Sequence, residues 1–176
     1  MKNKAFTLIE LLVVILIIGV LASIGLAQYK KSVLKARFAQ LIPTVTRMAL
    51  AAQEYELING NCTTDLSKMD IDMNGFTYGP YATVTVSFDN VLLAPNGNFF
   101  LARCDKNMLA VEGYVSSKQS FGYRVLLRIN KVFGYKPGRY CVEADMFSSY
   151  DKYCHIITGD NSKNTSNWHG RWYPLN

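Results

Sequence analysis

Hydrophobic residues are concentrated near the start of the chain, in one run without charged side chains. Residues 11–27 are seventeen consecutive uncharged positions, and Gln28 and Tyr29 extend the run. A helix needs about 20 predominantly apolar residues to cross the hydrocarbon core of a bilayer. Residues 6–29 are therefore predicted to form a membrane-spanning helical segment, in which Glu10 is the one charged side chain.

The pattern changes in residues 30–59, where polar side chains separate the apolar ones. Apolar residues recur there at alternating spacings of four and three, namely Leu34, Phe38, Leu41, Val45, Met48, Ala52 and Tyr55. This spacing places them on one face of a helix. We expect one continuous helix over about residues 6–58 that stops at Asn59-Gly60, because glycine favours the left-handed conformation of a helix C-terminus.

Residues 60–176 are predicted to form a globular head. A polar loop over 60–79, with a short helical turn capped by Thr64 or Asp65, precedes alternating stretches rich in β-branched and aromatic residues. These stretches predict an antiparallel sheet of about four or five strands within residues 80–144, with the amphipathic half of the helix on one face. The fold class is α+β. The C-terminal region, 141–176, is expected to be irregular beyond residue 160 and anchored by Trp168, Trp172 and Tyr173.

A secretory signal peptide is the alternative to a membrane anchor, since Lys2 and Lys4 precede the apolar run. The run exceeds the apolar core of a signal peptide, which has about 7 to 15 residues, and no small-residue cleavage site with a polar start follows it. We therefore expect an anchor. Basic residues before a span favour the cytoplasmic side, so the N-terminus is expected in the cytoplasm and the head outside.

The predicted head contains four cysteines, Cys62, Cys104, Cys141 and Cys154. Their even number and their place on the outer, oxidising side predict two disulfides. Four cysteines allow three pairings, and the sequence does not choose among them. A zinc site is disfavoured because no Cys-x-x-Cys pair occurs and the two histidines, His155 and His169, are not at ligand spacing from a second cysteine pair.

Motifs typical of enzymes do not occur in the sequence, which has no Gly-x-Ser-x-Gly, no phosphate-binding loop and no His-Glu-x-x-His. Residues 70–75 match the opening of an EF-hand calcium loop, but its twelfth position is Tyr81 where the motif requires Glu. We therefore expect no catalysis, no metal site and no cofactor.

The net charge of +6 on 176 residues is modest. It is compatible with contact to nucleic acid or an anionic surface but indicates neither. Arg171, Trp172 and Tyr173, near His169, could stack on bases or sugars, and the alternative is an aromatic tail that anchors on the head. Nucleic-acid binding stays open at this stage.

The segment KAFTLIELLVVILIIGVLASIGLAQYKKS, residues 4–32, resembles the N-terminal segment of type IV prepilins and type II secretion pseudopilins. A basic leader, a small residue, Phe-Thr-Leu-Ile-Glu and a long apolar run carry this resemblance. It implies a pilin-like fold and cleavage between Ala5 and Phe6 by a prepilin peptidase, which removes residues 1–5 and methylates the Phe6 amine. The residue before the cut is usually Gly in this family, so Ala5 implies slower processing.

Glu10 has two interpretations. Thr7-x-x-Glu10 fits a capping box, in which the carboxylate accepts a backbone hydrogen bond at the start of a helix. The resemblance implies a second role, in which Glu10 of an incoming subunit pairs with the Phe6 amine of a subunit already in a fibre. A carboxylate in hydrocarbon needs a partner because leaving it unpaired is costly. The two roles can hold at different stages.

The resemblance also implies a Cys141–Cys154 disulfide, because many pilins close a C-terminal loop with a late cysteine pair, and Cys62 and Cys104 then remain. It implies a helical fibre built with other copies of this chain and with other pilins. The further partners that it implies are a prepilin peptidase, an inner-membrane assembly platform and membrane lipid. The subunit is expected first in the inner membrane, with a periplasmic head, and later at the cell surface. The rival functions are a secretion pseudopilin and a minor pilin that binds DNA or a surface.

Overall fold

The computed structural model describes residues 7–82, 87–115, 121–129, 135–143, 153–159 and 171–175. The chain divides into two compact units, residues 1–36 and 37–176. Its elements are helix α1 (Leu8–Asn59), a 3-10 turn (Leu66–Lys68), strands β1 (Thr77–Ala82), β2 (Ser87–Leu93), β3 (Phe99–Cys104), β4 (Met108–Tyr114), β5 (Phe121–Ile129) and β6 (Gly138–Glu143), helix α2 (Cys154–Thr158) and strand β7 (Arg171–Pro174).

Helix α1 is continuous over 52 residues and ends where the sequence predicts. Gly60 follows the last helical residue with a φ of 70°, and its N–H donates to the carbonyl of Glu56 at 2.9 Å. The side chain of Asn59 donates to the carbonyl of Tyr55 at 2.9 Å. These bonds satisfy carbonyls that a helix end leaves open, and glycine adopts the left-handed conformation without a steric penalty.

The part of α1 that belongs to the second unit packs on the sheet. Five residues of the predicted stripe in this part are buried, namely Phe38, Leu41, Val45, Met48 and Ala52, whereas Tyr55 is only half-buried. Ala49, which is not in the stripe, is also buried. The rings of Phe38 and Tyr123 meet edge to face, with centroids 5.8 Å apart. The predicted combination of a long N-terminal helix, an antiparallel sheet and two disulfides is confirmed.

The sheet has seven strands in chain order, each antiparallel to its neighbour. The expectation of four or five strands was too low. Residues 81–89 form one uninterrupted alternating stretch in the sequence but contribute to two strands, because Tyr81 pairs with Phe88 and Ala82 with Ser87. The sequence between them, Thr-Val-Thr-Val, contains none of the residues that usually mark a turn.

The seventh strand lies in the region expected to be irregular. Strand β7 pairs with β6, with Trp172 opposite Val142 and Tyr173 opposite Cys141. Both aromatic side chains are buried. The anchoring role of this aromatic pair is therefore confirmed, and their buried rings are not available for stacking on bases. Trp168 and His169 lie outside the described residues.

The sheet is buried on both faces, not only on the face that α1 covers. Phe100 points toward α1, whereas its neighbours Phe99 and Leu101 point to the opposite face, because side chains alternate along a strand. A second hydrophobic cluster fills that far face, with Val91, Phe99, Leu101, Met108, Ala110, Tyr114, Leu126, Tyr140, Val142 and Trp172 as its buried members. All seven residues of β4 are buried as a result.

Close contact between α1 and β4 depends on Gly113. A Cβ atom at this position would lie 2.6 Å from Val45 Cγ2 and 2.7 Å from Phe100 Cδ1, which is too close for carbon atoms. The absence of a side chain lets the helix approach the strand at this point.

The change Gly113→Ala is therefore expected to destabilise the head by about 1–3 kcal/mol, the usual cost of an added methyl group in a packed core. The matched control is Gly138→Ala in β6, where the nearest atom to a new Cβ is 3.6 Å away, so that variant should unfold like the original chain. Denaturant unfolding of the full chain in nonionic detergent measures both. Equal loss of stability in the two variants would contradict this account of Gly113.

Candidate functional site

The first part of α1 exposes its apolar side chains. Residues 7–32 are all exposed, and the large hydrophobic side chains among them include Leu8, Ile9, Leu16, Ile18, Leu21 and Leu26. Within the described residues, α1 is the one helix that is long and apolar enough to cross a membrane. An exposed apolar surface of this extent needs lipid or other apolar helices around it.

Ala5 and Phe6, the expected cleavage and methylation positions, lie outside the described residues. Thr7 directly precedes α1, and the N–H of Leu11 donates to its carbonyl at 3.4 Å. The backbone N–H of Thr7 donates to Glu10 Oε2 at 2.9 Å, and the Thr7 hydroxyl donates to the same oxygen at 2.6 Å. The N–H of Glu10 in turn donates to Thr7 Oγ1 at 3.3 Å.

These three bonds form the predicted capping box, in which two residues satisfy each other's backbone donors. Both bonds that Glu10 accepts from Thr7 end on Oε2. Among the described residues, Glu10 Oε1 accepts no hydrogen bond. The capping box therefore leaves one carboxylate oxygen of Glu10 open to a further donor.

The head contains two disulfides, Cys62–Cys104 and Cys141–Cys154, with Cα atoms 5.8 Å and 5.6 Å apart. This is the pairing that the resemblance implies. The first disulfide joins the loop after α1 to the end of β3. The second joins β6 to the first residue of α2. In the chain-entropy description, closing such loops stabilises a fold by about 3 to 4 kcal/mol each.

Arg128 connects the end of α1 to the first disulfide. Its Nη2 donates to Glu56 Oε1 at 3.0 Å and to the carbonyl of Asp105 at 3.3 Å, and lies 3.8 Å from Cys62 Sγ. Its Nη1 donates to the carbonyl of Lys106 at 3.0 Å. One side chain thus holds the helix end, the disulfide and the β3–β4 turn together.

Glu143 has a similar role beside the second disulfide. Its Oε1 accepts the backbone N–H groups of Tyr153 and Cys154, each at 2.7 Å. These two groups open α2, so the carboxylate satisfies donors that the helix itself leaves unpaired. Burial raises the pKa of the Tyr153 hydroxyl, and the charge of Glu143 raises it further.

A buried charge cluster lies on the far face of the sheet and was not anticipated from the sequence. Glu112 Oε1 lies 2.7 Å from Arg103 Nε and 2.7 Å from Arg124 Nη2. The Tyr114 hydroxyl donates to Glu112 Oε2. Glu112 and Arg124 pair directly across β4 and β5, and both side chains are fully buried. The available signal was a charged residue between apolar or aromatic neighbours in each strand, Glu112 in β4 and Arg124 in β5.

The electrostatics of this cluster favour the ionised carboxylate. Burial alone raises the pKa of Glu112, but the charges of Arg124 and Arg103 and the hydrogen bond from Tyr114 outweigh it and lower the pKa to about 2. The pKa of Tyr114 is raised by its own burial and by the charge of Glu112. Glu112 is therefore an anion at any physiological pH.

The other candidate positions are not assembled into a site within the described part of the chain. In the EF-hand-like loop, the N–H of Asn74 donates to Asp72 Oδ1 at 3.2 Å, which is a local turn. No group of three or more His, Cys, Asp or Glu side chains in the described ranges is arranged to hold a metal ion. His155 lies on α2, far along the sequence from the EF-hand-like loop at residues 70–75.

Comparison with known proteins identifies the N-terminal segment. Residues 1–26 match the family described as "Prokaryotic N-terminal methylation motif". Two proteins of Dichelobacter nodosus, each named "Probable minor fimbrial protein", are 44% and 42% identical to this chain over 64 residues. Each match covers 36% of this chain and 36% of the relative. No solved structure matches the chain.

These matches confirm the resemblance to type IV pilins that residues 4–32 indicate. The family match covers the leader, the expected cleavage position and most of the apolar run. The matched region spans only about a third of the length of the curated relatives. The role of the whole chain is therefore a matter of proposal.

The low pKa of Glu112 predicts acid sensitivity of the head. The pKa is about 2 in the folded chain against an ordinary value of 4.5. The stabilisation is therefore fully present above pH about 4.5 and is lost as the pH falls toward 2. The denaturant midpoint of the full chain is measured in nonionic detergent from pH 6 to pH 2. We expect this midpoint to decrease as the pH falls from about 4.5 to 2.

A hydroxyl deletion tests the assignment of this window to Glu112. Tyr114→Phe removes a hydrogen bond that lowers the pKa of Glu112 in the folded chain, so this pKa should rise toward 4.5. The loss of stability in acid should then be smaller and should end at a higher pH. The matched control is Tyr140→Phe, because the Tyr140 hydroxyl donates to the carbonyl of Lys136 at 2.7 Å and not to a carboxylate. An unchanged acid profile in Tyr114→Phe would show that another group controls it.

Proposed function

We propose that this chain is a non-enzymatic structural subunit of a type IV pilus or a related pilus-like fibre. The observation that carries the proposal is the N-terminal methylation motif at residues 1–26, followed by an apolar helix with one carboxylate at its start. A simple membrane anchor needs no carboxylate at this position beyond the capping box, and a charge in hydrocarbon is costly.

Glu10 is the residue that specifies assembly in this proposal. The capping box occupies Oε2 and leaves Oε1 open. Cleavage after Ala5 creates the amine of Phe6. On a neighbouring subunit, this amine donates a hydrogen bond to Glu10 Oε1. This ion pair forms at a single axial offset between two helices, so it fixes the register of the fibre.

The apolar surface of α1 serves two successive environments. Before assembly it lies in the inner membrane, with the N-terminus in the cytoplasm and the head in the periplasm. After extraction, the same side chains pack on other helices in the fibre. The exchange is nearly neutral in free energy, because lipid tails and aliphatic side chains are equally apolar. Prepilin peptidase and an inner-membrane platform are the partners of these steps.

A minor subunit of a pilus is favoured over a secretion pseudopilin by the names of the relatives from Dichelobacter nodosus, both "Probable minor fimbrial protein". The two disulfides suit a head that is exposed outside the cell, where oxidising conditions keep them formed. A short periplasmic fibre of a type II secretion machine is the second candidate. A DNA-binding role is not supported by Trp172 and Tyr173, which are buried.

The change Glu10→Ala should abolish incorporation into fibres while the subunit stays in the membrane with a folded head. The measurement is the fraction of subunit in the sheared surface material relative to the membrane fraction of the native cells. The matched control is Glu54→Ala, which removes an exposed carboxylate from the same helix within the second unit. That variant should appear in fibres at the original level. Normal fibre yield from Glu10→Ala would exclude the register role.

A further inference from the structure

Three lysines lie just beyond the apolar run of α1. Tyr29 ends the run, and Lys30, Lys31 and Lys35 follow it. All four side chains are exposed on the helix, and that of Tyr29 is 67% exposed. We call Lys30, Lys31 and Lys35 the lysine band. The run and the band both belong to the first unit of the chain.

The length of the apolar run sets the depth of the lysine band in a bilayer. Residues 11–29 occupy about 28 Å of helix, which is close to the hydrocarbon thickness of about 30 Å. The band covers about 8 Å of helix beyond the run, and the headgroup layer of one leaflet is about 5–7 Å thick. The amphipathic ring of Tyr29 is typical of this boundary. The three ammonium groups therefore lie at the level of the lipid phosphates when the run is in the membrane.

The orientation of the chain does not explain the lysine band. The positive-inside rule concerns lysine and arginine on the cytoplasmic side of a span. The band instead follows the span, on the side that the proposed function places outside the cytoplasm. These lysines are therefore expected to have a function other than setting the orientation.

Helix α1 does not itself balance the charge of the lysine band. Side chains on a helix interact with neighbours three or four positions away, and the sequence has no Asp or Glu between Glu10 and Glu54. Lys31 and Lys35 are four positions apart, so two like charges share one face of α1. Anions supplied from outside the helix relieve this repulsion.

We propose that the lysine band binds the phosphodiester headgroups of anionic phospholipids in the outer leaflet of the inner membrane. Each ammonium group donates up to three hydrogen bonds, and phosphate oxygens of opposite charge accept them. The band is continuous with the apolar run, so the lipids that surround the run present their phosphates at this level. The inference rests on the membrane stage of the proposed function and adds the class of lipid that binds the subunit there.

The lipid selectivity of the full chain tests the proposal. The chain is reconstituted in phosphatidylcholine vesicles that contain a trace of phosphatidylglycerol with a spin label on its acyl chain. Electron spin resonance measures the fraction of label whose motion is restricted by contact with the protein. The association constant should be about fivefold higher than for phosphatidylcholine labelled in the same way, the ratio expected for one lysine near an anionic lipid. Equal association of the two lipids would overturn the proposal.

Two variants with the same loss of charge separate the lysine band from a general attraction. The first combines Lys30→Gln, Lys31→Gln and Lys35→Gln, and its preference for phosphatidylglycerol should disappear. The matched control replaces three exposed lysines of the head and should keep the preference. Its changes are Lys68→Gln, Lys106→Gln and Lys136→Gln. An unchanged preference in the first variant, or its loss in the control, would also overturn the proposal.

Flotation with vesicles of pure phosphatidylcholine keeps this test separate from that of the proposed function. It reports whether the apolar run enters a bilayer, and the original chain and both variants should float. A chain that floats but shows no lipid preference overturns the lipid proposal alone. A chain that does not float overturns the membrane stage of the proposed function and the lipid proposal with it.

Inorganic phosphate distinguishes a lipid headgroup from a free anion as the source of the phosphate group. Replacing chloride in the buffer by inorganic phosphate at constant ionic strength should leave the preference for phosphatidylglycerol unchanged. Loss of the preference in phosphate buffer would show that the lysine band binds free anions and would overturn the proposal.

Discussion

The burial of one helical stripe against the sheet is the interaction on which the folded head depends. From Phe38 onward, α1 places every third or fourth side chain into the core, and Val45 meets the backbone of β4 where Gly113 has no side chain. The strands are held in order by neighbouring antiparallel pairs, so each strand is fixed by local contacts. Helix α1 is the element that packs across several of these strands.

The preceding part of the same helix has the opposite property, since none of the residues 7–32 is buried. A long exposed apolar surface is unfavourable in water and is stable only in lipid or among other helices. The capping box at Thr7 and Glu10 satisfies the helix start without using the whole carboxylate. A subunit that is first stored in a membrane and then polymerised makes use of both features.

Periodicity and turn residues predicted much of this structure. The span, the stripe from Phe38 to Ala52 and the helix end at Gly60 each follow from a repeating pattern or a single conformational preference. The number of strands did not follow, because the sequence between β1 and β2 lacks turn residues and β7 is only four residues long. Propensity is a weak guide where pairing partners decide whether a short segment becomes a strand.

The charge cluster was missed for a different reason. Glu112 and Arg124 are twelve residues apart in sequence, and only the register of β4 on β5 places them face to face. The far-face hydrophobic cluster likewise joins residues from β2 to β7, so its existence depends on the complete sheet. The assembly role proposed for Glu10, in contrast, rests on a local motif that the sequence displays directly. Local motifs can be recognised in the sequence, whereas sites that depend on the register between strands cannot.

Mass spectrometry of the N-terminal peptide, taken separately from membranes and from sheared surface material of the native cells, tests the central claim most directly. A fibre subunit is expected to begin at N-methylated Phe6 in the sheared fraction, even though Ala5 replaces the usual glycine. A chain that retains Met1 and occurs only in membranes would contradict the proposal and would identify the protein as a permanently anchored domain.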